Sequence, residues 1–235
     1  MRVSILAALP AGLIVAVLGI NVAAADVIVA STSRAGFGND SVDWAQEGMC
    51  QAALANPFSA TSAQGLTVTV TSSGLGFEGS SLTKTVQEPP GCPVGGWNGN
   101  FAPDAPVIYN ESTGPVALTF SSPISGVGAQ FENLLLSDFT AEIDAYNGST
   151  LLGSVTEDGN GTTAADNSAI FLGIEDLTGA DITSVIFAMS PDTPDPNGFA
   201  FNNLSLIDSA PEPASFVLFG TALLGLSLRR RRKRV

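Results

Sequence analysis

The chain has 235 residues, 45% of them hydrophobic and 13% charged, with 25 Gly, 14 Pro and no His. That length suits one domain of ordinary size, the apolar content is too high for disorder, and the missing imidazole excludes Ser-His-Asp catalysis and His-ligated zinc or haem. Of nine bases, six form the closing cluster, and residues 26–210 hold 21 of the 22 acids against Arg34 and Lys84 alone. Such a field repels phosphate backbones and argues against nucleic acid as a partner.

At the N-terminus, Met1-Arg2 precedes an apolar run from Val3 to Val22, then Ala23-Ala24-Ala25 and Asp26. A positive start, an apolar middle and small residues at the A-x-A positions predict a signal peptide over 1–25, cleaved near Ala25. An uncleaved anchor is the alternative.

Residues 26–208 are expected to form one all-β domain, an antiparallel two-sheet sandwich. A short helix near Trp44 to Leu54 is weakly marked. Cys50 and Cys92, the only cysteines, read as one disulfide in an exported chain, against two free thiols. Its closure would stabilise by roughly 4 kcal/mol in the chain-entropy model. Trp97, with Asn98 and Asn100 in a Gly-rich loop, is a candidate glycan platform: an aromatic face packs on the C–H face of a sugar while amides bond the hydroxyls. Trp44, Phe101 and Tyr109 are further stacking candidates. The bland alternative for Trp97 is a ring covering the core edge beside Cys92.

Period-two alternation is clear in three runs: Leu66, Val68 and Val70; Val116, Leu118 and Phe120; and Phe139, Ala141, Ile143 and Ala145. Each places one face in a core and the other in water. Further strands are expected over 126–131, 151–155, 170–174, 182–189 and 199–207. The expected separators are Asn147-Gly148, Asp158-Gly159, Asn160-Gly161, Thr178-Gly179 and the segment 191–198. The acidic stretch 157–167 offers hard oxygen ligands, with Asp158, Asn160 and Asp166 as weak calcium candidates. Thr163 and Ala169 stand where an EF-hand needs Gly and Glu, so that loop is excluded, and a polar hairpin turn is the better expectation. Asp192, Asp195 and Asn197 are a second oxygen cluster. No G-x-S-x-G elbow, P-loop or complete G-x-G-x-x-G follows a strand, and no carboxylate pair is singled out by its neighbours. No enzyme activity and no obligatory cofactor are expected.

The C-terminal segment 209–235 has three parts. Pro211-Glu212-Pro213 comes first, then fifteen uncharged residues from Ala214 to Leu228, then Arg229, Arg230, Arg231, Arg232, Lys233 and Arg234. As a helix the middle part covers about 22 Å, against a hydrocarbon core of about 30 Å, so snorkelling arginines must extend it. The basic end belongs in the cytoplasm, which leaves the domain outside. A plain tail anchor would share the apolar and basic parts.

Together with the signal peptide, this tripartite tail resembles the PEP-CTERM sorting signal of exported proteins in Gram-negative bacteria that make exopolysaccharide. The resemblance implies recognition by an exosortase, a membrane-embedded cysteine protease or transpeptidase acting near Pro-Glu-Pro. It also implies transient anchoring in the inner membrane before release to the cell surface or extracellular matrix. Residues 126–206 resemble the ectodomain of many PEP-CTERM proteins, which look like carbohydrate-binding-module jelly rolls. The residues that carry this are Gly126 to Phe131, Phe139-Thr140-Ala141, Leu152-Gly153-Ser154, Ala169 to Gly173, Ile182 to Val185 and Phe199 to Leu206, joined by Trp97 to Phe101 upstream. Two functions follow as expectations. One is a structural or interaction role in the envelope or exopolysaccharide matrix. The other is a carbohydrate-binding module, with calcium as an optional aid.

Overall fold

The computed structural model describes residues 26–48, 52–72, 82–86, 100–101, 105–110, 114–133, 137–162, 168–190 and 198–208. In chain order the strands are β1 (Ile28–Ser31), β2 (Asp40–Val42), β3 (Ala52–Ala53), β4 (Phe58–Thr61), β5 (Thr67–Ser72), β6 (Leu82–Val86), β7 (Pro106–Asn110) and β8 (Val116–Ile124). They continue as β9 (Gly126–Asn133), β10 (Asp138–Asn147), β11 (Thr150–Asn160), β12 (Ile170–Asp176), β13 (Ile182–Ser190), β14 (Phe199–Asn202) and β15 (Leu204–Ile207). Every pairing is antiparallel. One sheet runs β1-β12-β9-β14-β7-β6-β3, with β15 joining β9 to β2; the other runs β11-β10-β13-β8-β5-β4. The chain is thus an all-β two-sheet sandwich. Among the described residues no helix is long and apolar enough to cross a membrane.

The alternating runs build the inner face of the second sheet. Val68 and Val70 of β5, Val116, Leu118 and Phe120 of β8, and Phe139, Ala141, Ile143 and Ala145 of β10 are all buried. Phe187 of β13 joins that face and meets Phe131 of β9 at 5.0 Å and Phe201 of β14 at 5.5 Å from the other sheet, both in the edge-to-face geometry that aromatic quadrupoles favour. β9 does not alternate, because both its faces are covered. On its outer side Gly128 leaves room for Phe171: a Cβ there would lie 2.6 Å from the ring. Phe37, from the loop after β1, caps Phe171 at 5.3 Å.

β14 and β15 are one strand interrupted at Asn203. Phe201 faces Phe131, but Ser205 faces Gly128, one position out of step. The displaced groups are satisfied locally: Asn202 accepts from Gln130 N at 2.9 Å through Oδ1, and donates through Nδ2 to Gln130 Oε1 at 2.7 Å. Arg34 reaches the same break and donates to Asn203 O at 2.9 Å. Burial holds its guanidinium below the ordinary arginine value.

Two local expectations are corrected. The helix expected near Trp44 is a single 3₁₀ turn, Trp44–Glu47, capped by Asp43, whose side chain accepts from Ala45 N at 2.8 Å. The pair Asp158-Gly159 does not form the expected turn, because β11 runs on through Asn160. Gly159 lies opposite Phe139, and its missing Cβ makes space for that ring. In contrast, Asn147-Gly148 does turn the β10–β11 hairpin, with Gly148 at φ +59°.

Candidate binding groove

An open groove of 670 Å³ lies at one end of the sandwich, lined by Asp138, Phe139, Thr140, Asp158, Gly159, Asn160, Ile170 and Ser190. The register of β10 with β11 pairs Asp138 with Asn160 and Thr140 with Asp158, while Thr140 also faces Ser190 of β13. Period-two geometry therefore puts five polar side chains on the solvent face, and Phe139 and Gly159 on the core side. Thr140 Oγ1 donates to Asp158 Oδ1 at 2.7 Å, and Asn160 donates to Asp138 Oδ1. The exposed carboxylates keep further lone pairs for hydroxyl or cation donors. Phe139 is 3% exposed and so offers no free ring face.

The two described calcium candidates, Asp158 and Asn160, thus stand on a strand, two residues apart and facing one way, with Asp138 and Thr140 opposite. Asp166 lies outside the described residues. So do Cys50, Cys92, Trp97, Asn98, Asp192, Asp195, Asn197, the signal peptide, Pro211, Glu212, Pro213, the apolar run after them and the bases Arg229 to Arg234. Asn100 is described and is 1% exposed. Its amide nitrogen donates to Thr162 O and Ser168 Oγ, both at 2.7 Å. Ser168 Oγ in turn donates to Glu132 Oε2 at 3.2 Å. These bonds fasten the outer layer to β9.

The stacking expectation for Trp44 and Phe101 is corrected, since both are fully buried. Trp44 lies between the sheets against Phe58 and Phe201, and its indole N–H donates to Asn202 O at 2.9 Å. Phe101 fills a second small core with Val107, Ala169 and Ala200, against which half-buried Tyr109 packs. Their aromatic mass closes the fold, which composition alone does not distinguish from a ligand platform. Sequence reasoning missed Asp138, Thr140, Ile170 and Ser190 as groove residues. Alternation in β10 could have placed Asp138 and Thr140 outward, but only strand register brings them to Asp158 and Ser190.

Residues 209–232 match the PEP-CTERM protein-sorting motif. No curated protein matches the chain. Among solved structures, the chain is similar to a glycoside hydrolase family 43 arabinoxylan arabinofuranohydrolase from Bacillus subtilis in complex with cellotetraose. Identity is 12% and the TM-score 0.33, over 56% of this chain and 25% of that one, so this chain spans a quarter of that enzyme's length. It is also similar to a DUF4465 family protein from Bacteroides caccae, at 12% identity and a TM-score of 0.41, over 78% of this chain and 100% of that one. TmCBM61 in complex with β-1,4-galactotriose is similar at 10% identity and a TM-score of 0.25, over 60% and 88% of the two chains.

Proposed function

We propose that this chain, which carries the PEP-CTERM sorting motif, is an exosortase substrate whose β-sandwich serves as a structural or interaction module in the envelope or exopolysaccharide matrix. The motif at residues 209–232 carries this proposal. A sorting tail implies delivery to the outside of the inner membrane, and a strongly acidic domain stays soluble and resists collapse onto anionic surfaces there. The signal peptide over 1–25 begins the route, the apolar run after Pro213 holds the chain at the membrane, and the arginines keep the end cytoplasmic. The chain should reach the cell surface or matrix of an exosortase-bearing Gram-negative host only with residues 209–235 attached. Identical fractionation of full-length and truncated chains would contradict the proposal.

A second reading is supported by the groove. Asp138, Thr140, Asp158, Asn160 and Ser190 form a strip of acceptors and donors suited to the hydroxyls of a neutral polysaccharide. Of the sequence's own glycan candidates Trp97 and Asn98 remain, whereas Asn100 is corrected to a structural role, since it is buried and its amide is bonded to Thr162 and Ser168; Asp158, Asn160 and Asp166 remain for an assisting calcium. Affinity electrophoresis in gels cast with the host's exopolysaccharide distinguishes them. Retardation lost in Asp158→Ala assigns binding to the groove, and retardation lost in Trp97→Ala assigns it to the upstream loop. Absence of retardation removes the carbohydrate reading.

A further inference from the structure

We propose that Asp26, Asp176 and Asp181 form a calcium-binding site at the end of the sandwich opposite the groove. β12 begins at the groove with Ile170 and ends at Asp176, so about 20 Å of strand separates the two places. One carboxylate oxygen from each of the three aspartates lies within 4.8 Å of the others.

Two observations converge here. The first is electrostatic: three like charges at this spacing repel one another unless a cation stands between them. Among the described side chains the base Arg34 is engaged elsewhere, with Gln130 and Asn203. The second is independent of the first. Asp176 is 2% exposed, and its Oδ1 accepts from Thr178 N at 2.8 Å and Thr178 Oγ1 at 2.6 Å. Its Oδ2 is buried and has no hydrogen-bond partner. A buried carboxylate oxygen that no protein group bonds is costly, and native folds rarely leave one uncompensated. A metal ion in the cluster supplies what no N–H or O–H does.

The backbone organises the site from three segments. Asp176 N donates to Ser125 O at 2.7 Å, and Leu177 N donates to Val27 O at 3.0 Å. Thr178 Oγ1 also approaches Asp26 Oδ1 at 3.4 Å. The start of the domain is thereby held against the β12–β13 turn. The all-oxygen donor set is hard, which selects calcium or magnesium over zinc or copper. The flexible oxygen shell of calcium suits carboxylates drawn from three separate segments, whereas magnesium demands a near-ideal octahedron. Asp26 is exposed and Asp181 half-buried, which leaves coordination positions for water.

The test uses the full-length protein, stripped with EDTA and dialysed. Titration with CaCl2 should show one site in the submillimolar to millimolar range typical of extracellular modules. Saturating calcium should raise Tm by about 5 °C or more. Asp26→Asn combined with Asp181→Asn should abolish that rise while leaving the metal-free Tm equal to or above that of the parent. Asp176→Asn should weaken binding at least tenfold, and Asp158→Asn in the groove should change nothing. No rise in Tm at 10 mM calcium, or a rise undiminished in the double variant, overturns the proposal. An equal response to magnesium overturns the assignment to calcium.

Discussion

Trp44 joins three parts of the molecule at once. Its ring contacts Phe58 of one sheet and Phe201 of the other, and its N–H reaches the backbone carbonyl of Asn202 beside the β14–β15 break. Replacing it with alanine removes a fully buried ring and leaves that carbonyl without its donor. The expected loss is about 3–5 kcal/mol. Trp44→Phe keeps most of the apolar contact and loses only the donor, so about 1–3 kcal/mol is expected. Urea unfolding of both variants checks the order; equal losses would show that the ring's apolar contact contributes nothing beyond the indole hydrogen bond. The glycines divide at the same scale. Gly128 and Gly159 are beds for Phe171 and Phe139, not hinges, so treating Asp158-Gly159 as a turn mistook a packing glycine for a conformational one.

At the scale of elements, the strands with one wet face were the most legible. β5, β8 and β10 alternate in sequence and in burial alike. β9 and β12 were found by their apolar density, although covered outer faces erase their period. The strands before β5 were missed because they are short, and for β1 and β2 the register is also imposed by partners far along the chain. β1 pairs with β12, and β2 with β15. The groove was half legible for the same reason: Asp158 and Asn160 were noticed as a spacing, while their partners Asp138 and Thr140 come only with the hairpin register. That register depends on the Gly148 turn. Gly148→Val places a β-branched residue at φ +59° and should cost about 1–2 kcal/mol, whereas Gly148→Asn should cost less. Denaturant midpoints decide; a valine variant as stable as the parent would mean the strand pairs, not the turn, set the register.

The whole molecule pairs two unlike parts. A sandwich with an aromatic core between its sheets and a strongly acidic surface sits before a C-terminal sorting motif. The fold explains how acidic side chains are presented at two ends, in the groove and in the Asp26, Asp176 and Asp181 cluster. The motif explains where such a domain is put to use, and it was legible because an address depends on order and composition more than on tertiary packing. The proposed route makes the tail a temporary part. Intact mass of the protein recovered from an exosortase-bearing host, and from the same host lacking that enzyme, tests this directly. The account predicts loss of the arginine cluster and the apolar run in the first host, and their retention in the second. The same mass in both hosts, with Arg229 to Arg234 still attached, would contradict it.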